Sequence, residues 1–136
     1  MPMLGGPQVQ LLTDLITYNL GTIIVNNQKK AANTDMIISL TAANVSLAAI
    51  NFELLGDNEL LTAIQATVIN PVWIAYLAVV QLKNLADIVT NDLKILDNLG
   101  LISDLVSANS ALTDANTQLT ANNVIASEII VAVNPN

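Results

Sequence analysis

The side chains in this chain that are spaced as if for a purpose are amides. Asn19, Asn26 and Asn33 are seven residues apart, and after a step of eleven Asn44, Asn51 and Asn58 are seven apart again. Asn84, Asn91 and Asn98, then Asn109, Asn116 and Asn123, repeat the pattern, each 65 residues beyond its counterpart. An asparagine amide donates and accepts hydrogen bonds but is neither acid nor base near neutral pH. A row of amides is therefore suited to pairing with another row rather than to moving protons.

The other candidates for chemistry lack partners. Asp57 with Glu59, or Asp87, Asp92 and Asp97, could suggest a calcium site or an acid–base pair, but their spacing matches no oxygen-ligand loop. Solvated helix faces account for them. Serine and threonine are common, yet with no histidine and no suitably placed lysine nothing activates a hydroxyl as a nucleophile. Cysteine is absent too, which removes disulfides and thiolate metal sites. Gly5-Gly6 is a flexible lead-in without the lysine and serine or threonine of a phosphate loop. The expectation is a protein with no catalytic residues, no cofactor and no metal.

The amides need an element that puts them on one line. In a strand, residues seven apart point to opposite faces; in a helix they form a stripe. The stripe in the first half runs Asn19, Ile23, Asn26, Lys30, Asn33, Ile37, Leu40, Asn44, Leu47, Asn51, Leu54, Asn58, Leu61. In the second it runs Asn84, Ile88, Asn91, Ile95, Asn98, Ile102, Leu105, Asn109, Leu112, Asn116, Leu119, Asn123, Ala126. Steps of four and three alternate without interruption, which is the 3.5-residue period of helices that pack along a seam. At the step of eleven the asparagine changes from one core position to the other. Amides in an apolar seam must be paired, so the seam predicts layers of amides contributed by neighbouring helices.

The predicted fold is all-α: two tandem 65-residue repeats, each a long helix or helical hairpin, sharing a continuous heptad seam of alternating Asn and Ile/Leu. Residues 1–5 form a lead, 6–70 the first repeat and 71–136 the second, the two making one packed unit. The offset of 65 also aligns Leu20 with Leu85, Lys29 with Lys94 and Ile64 with Ile129. Asn70-Pro71 marks the junction, and Asn134-Pro135 closes the second copy in the same way. Gly21, Gly56 and Gly100 are candidate breaks, with Gly56-Asp57-Asn58 the best internal turn, so either two very long helices or four shorter ones are expected.

Composition points to where such a protein resides. Apolar residues make up 53% and charged residues 11%, against about 25% in a soluble monomer. Leu20, Ile24, Ile38, Val45, Ile50, Leu55, Ile64, Leu99 and Ile129 lie off the seam, so a hairpin that hides one stripe per helix leaves apolar surface for other chains or lipid. Four lysines, no arginine and a net charge of −7 exclude the basic patch that nucleic acid requires. The uncharged stretch Leu60–Leu82 is long enough to cross a bilayer, but Asn70-Pro71 would fall near the midplane, and a buried turn between two helices is the better reading. The first ten residues lack a positive charge followed by an apolar run, so cytoplasmic synthesis without a signal peptide is expected.

One segment, Ala86-Asp87-Ile88-Val89-Thr90-Asn91-Asp92-Leu93-Lys94-Ile95-Leu96, resembles the T-D-x-V-T-x-x-N-x-K-V-L stretch of R-body proteins, with a one-residue gap and without that family's following glutamine run. The resemblance implies small subunits that polymerise into ribbons, and it carries no site residue across. The sequence thus predicts a self-assembling structural protein whose partners are copies of itself. A membrane-active or lipid-coating helical protein and a discrete coiled-coil scaffold are the alternatives.

Overall fold

A computed structural model describes residues 4–133. It contains two α-helices, α1 (Gly6–Gln65, 60 residues) and α2 (Pro71–Val133, 63 residues), and no strand among the described residues. The two pack against each other as a helical hairpin. The closing pair Asn134-Pro135 lies outside the described residues.

The helix ends follow from local chemistry. At the end of α1 the Thr67 and Val68 N–H groups both donate to the Ile64 carbonyl, and the Thr67 hydroxyl adds a third bond to it at 2.9 Å. α2 opens with Pro71, whose missing N–H is no loss in the first turn. Asn70 caps it: its Oδ1 accepts the Val72 N–H at 2.9 Å, satisfying one of the free donors of the first turn. The junction expected at Asn70-Pro71 is therefore a real turn. It is not buried, however. Ile69 is 94% exposed, because the two helices end here and nothing packs beyond them.

The three glycines do not break the helices. Gly21 and Gly56 lie inside α1 and Gly100 inside α2, so Gly56-Asp57-Asn58 is helix rather than a turn. A glycine costs about 1 kcal/mol in a helix. A turn at Gly56 would throw Leu54, Asn58 and Leu61 off the seam, which costs more. A Cβ added at any of the three would meet no atom within 4 Å. Gly21→Ala, Gly56→Ala and Gly100→Ala should each stabilise the hairpin by about 0.4–1 kcal/mol. Denaturant melts of the single variants check this, and a destabilised variant would show that the helix is strained at that glycine.

Two compact units divide the hairpin across its helices rather than between them: Met1–Asp35 with Asp104–Asn136, and Met36–Ser103. Each contains a segment of α1 and a segment of α2. The sequence repeats correspond instead to the individual helices. In both units the interior is thin. The buried apolar residues are Ala126 and Val133, and no large side chain is fully buried among those described. Four of the most buried side chains are amides: Asn19, Asn26, Asn51 and Asn123.

Candidate functional site: the asparagine seam

The amides meet in pairs across α1 and α2. In the first unit the Nδ2 groups of Asn19, Asn26 and Asn33 donate to the Oδ1 atoms of Asn123, Asn116 and Asn109, at 2.8, 2.9 and 2.9 Å. In the second unit Asn84, Asn91 and Asn98 donate to Asn58, Asn51 and Asn44, at 2.8, 2.9 and 2.9 Å. The two numbers in every pair sum to 142, as in 19 with 123 or 58 with 84, so the pairing is antiparallel within each unit. Within the units that register sets Ile23 level with Leu119, Leu40 with Ile102, Leu47 with Ile95 and Leu54 with Ile88. All eight are half-buried. Lys30, the one charged seam residue, lies level with Leu112 and is also half-buried.

Each accepting amide passes a hydrogen bond on. Asn123 donates to the Ile16 carbonyl at 3.3 Å, and Asn109 to the Lys30 carbonyl at 3.4 Å. Asn58 donates to the Gln81 carbonyl at 3.2 Å, and Asn44 to the Ile95 carbonyl at 3.4 Å. In each case the carbonyl lies three residues before the asparagine that donates to the acceptor. The middle layers differ. Asn116 donates to Asn27 Oδ1 at 2.9 Å, and Asn51 to Asp92 Oδ1 at 2.8 Å. A shift of 65 residues carries each of these bonds of the first unit onto one of the second: 19 to 84, 123 to 58, 16 to 81, 27 to 92.

Asparagine is a poor helix former, and an amide pair returns a net of only about 0.5–1.5 kcal/mol per hydrogen bond. Burial energy alone would favour leucine. What amides supply is register, because an amide set opposite an aliphatic side chain is left unpaired at a cost of roughly 1–3 kcal/mol. With asparagine at every seventh position throughout, a slip of seven residues would go unpunished. The step of eleven prevents this. Were α1 to slip so that Asn44 met Asn91, Asn98 would face Ile37 and Asn58 would face Leu77.

All of the asparagines expected on the seam are brought together, and they pair within one chain. Asn27 and Asp92, which lie off the seam, and Gln81, which continues it one step before Asn84, complete the network. Gln81 Nε2 donates to the Asn58 carbonyl and to Thr62 Oγ1, at 3.1 and 2.8 Å. The sequence signal for Asn27 and Asp92 is adjacency, each following a donating asparagine, whereas Gln81 is the seam position that precedes Asn84.

The acidic residues set aside as calcium candidates do not gather. Among the described residues no group of three or more His, Cys, Asp or Glu side chains could hold a metal. Asp87 pairs with Lys83 at 3.1 Å on the surface, an interaction worth little. Many threonines turn their hydroxyls back onto their own helix. Thr34, Thr41 and Thr113 each donate to the carbonyl four residues earlier, which leaves that donor unavailable to other partners.

The fold and the amide seam define an all-α hairpin zipped by buried asparagine pairs. Comparison of the chain with family models, with curated proteins and with solved structures finds no match.

Proposed function

We propose that this chain is a structural subunit that assembles with copies of itself into a filament, ribbon or sheet. The observation that carries this reading is uncovered surface. The chain exposes 9321 Å² at a mass of 14.4 kDa. A compact monomer of that mass exposes about 6,800 Å². The difference, about 2,500 Å², equals roughly three standard protein–protein contact patches of about 800 Å² each. Much of the exposed surface is apolar: Phe52 is 79% exposed, Leu82 66% and Val131 67%. One patch would give a closed dimer, whereas several non-equivalent patches on one subunit give open assemblies. The segment that resembles R-body proteins agrees with this reading.

A membrane role draws support from one observation. Both helices contain a stretch long and apolar enough to cross a bilayer by length and composition. Against it, eleven acidic residues and four lysines disfavour an anionic lipid surface. A helix of 60 residues is also about three times the length that spans a bilayer.

In detergent-free buffer the purified protein should form large particles by light scattering, with regular assemblies in negative stain. A monodisperse monomer that associates only with vesicles would overturn this proposal in favour of the membrane role.

A further inference from the structure

Within Met36–Ser103 the charges are not spread evenly around the helix pair. Taking the seam as heptad positions a and d, one flank is formed by positions e and b and the other by g and c. Thr41, Val45, Ala48 and Leu99 line the first flank beside the seam; Asp57, Leu60 and Val80 line the second. Of the eight charged residues in this unit, Glu53, Asp57, Lys83, Asp87, Lys94 and Asp97 belong to the second flank. The first carries only Glu59 and Asp92, and the Asp92 carboxylate is engaged by the Asn51 amide at 2.8 Å.

The first flank is instead apolar. Ile38, Val45 and Phe52 follow one another at seven-residue intervals along α1, as do Leu82, Val89 and Leu96 along α2, and Leu55, Leu85 and Leu99 lie between them and the seam. All nine are exposed, by roughly three-fifths on average. At about 60–120 Å² of apolar area per fully exposed side chain, they offer on the order of 300–650 Å². A standard interface takes about 800 Å² per partner, of which a little over half, about 450 Å², is apolar.

We propose that this flank is an interface with the same flank of a second copy. The proposal rests on the self-assembly reading and names the surface that performs it. A nearly charge-free apolar face is self-complementary, so a two-fold axis can place it on its own image without opposing like charges. It also continues the existing interface: Leu55, Leu85 and Leu99 border the amide seam, so a second hairpin laid there would extend the packing into a four-helix layer. A lipid surface fits less well, because no lysine lies on this flank to meet a headgroup.

The chain has no cysteine, so single-cysteine variants of the full-length protein report contacts without background. Phe52→Cys, Val89→Cys and Leu96→Cys should each yield covalent dimers with a flexible bis-maleimide, which tolerates the offset of a residue from its own image away from the two-fold axis, while Ile50→Cys and Leu101→Cys on the opposite flank should not. In parallel, Phe52→Glu with Leu96→Glu should raise the concentration needed for assembly on the order of a hundredfold, since charges would be buried unpaired. Ile50→Glu with Leu101→Glu should change it little, and circular dichroism should show both pairs still helical. If the glutamate variants do not fold, the cysteine result decides. Assembly by the parent with cross-links only on the g and c flank, or on neither, would overturn this interface while leaving self-assembly standing. A parent that stays monomeric at all concentrations would overturn both.

Discussion

Deleting residues 45–51 from α1 alone should cost the hairpin far more than deleting that heptad together with its partner, residues 91–97 of α2. The matched deletion removes one amide pair, Asn51 with Asn91, and one aliphatic layer, Leu47 with Ile95. It leaves Asn44 three residues before Leu54, and Ile88 three before Asn98, so the seam continues unbroken. The expected loss is that of a layer, with helicity and cooperative unfolding retained. The unmatched deletion keeps every α1 seam residue in phase with its helix but moves those before position 45 by seven against α2. Asn33 then faces Ile102, Asn98 faces Ile37 and Asn123 faces Leu12. Three orphaned amides at roughly 1–3 kcal/mol each give about 3–9 kcal/mol, a large share of the 5–15 kcal/mol that holds a typical domain together. Denaturant unfolding followed by circular dichroism measures both variants. Equal stability of the two would show that the step of eleven does not set the register.

The same step shows what could and could not be read from the sequence. The seam was legible because a 3.5-residue period is a local, one-dimensional signal, and the alternation of Asn with aliphatic residues, interrupted only by Lys30 and by the doubled aliphatics at each step of eleven, left little freedom over which residues lie inside. The turn was legible from Asn70-Pro71, an amide cap before a residue that cannot donate. The partner of each seam was not. The asparagine intervals are seven, seven, eleven, seven and seven, which read the same in both directions. Parallel and antiparallel pairing, within one chain or between two, would match equally well. The short connection from Ala66 to Asn70 decides the matter by forcing α2 to run back along α1. Gly56 misled for a different reason: its propensity cost of about 1 kcal/mol is local, whereas the seam it would interrupt is held at Asn51, Asn58 and beyond. The roles of Asn27 and Asp92 depend on side-chain reach across the groove, which spacing does not encode. The charge-poor flank was present in the sequence but acquires meaning only once the seam fixes which heptad positions share a side.

Replacing Asn26 with leucine should destabilise the hairpin, and replacing Asn116 as well should restore it. Asn26 is 8% exposed and donates to Asn116 Oδ1 at 2.9 Å. Leucine at 26 removes that donor and leaves the accepting oxygen unpaired in the seam, at roughly 1–3 kcal/mol. Leucine at 116 alone strands the Asn26 amide for a similar cost, while Asn27, which is exposed, can turn to water. In the double variant neither orphan exists. The lost hydrogen bond was worth a net of about 0.5–1.5 kcal/mol, and each leucine buried in its place returns about 1.5–3 kcal/mol. The double variant should therefore match or exceed the parent, and with each single variant losing roughly 1–3 kcal/mol the cycle should show a coupling of about 2–6 kcal/mol between the two sites. Extending the replacement to all six layers should raise stability further but remove the penalty for slippage, giving hairpins and assemblies of mixed register. Chemical denaturation of the four members of the cycle measures the coupling. Single variants within about 0.5 kcal/mol of the parent, the range of ordinary surface changes, would mean that these amides are satisfied by water and that pairing does not hold the seam.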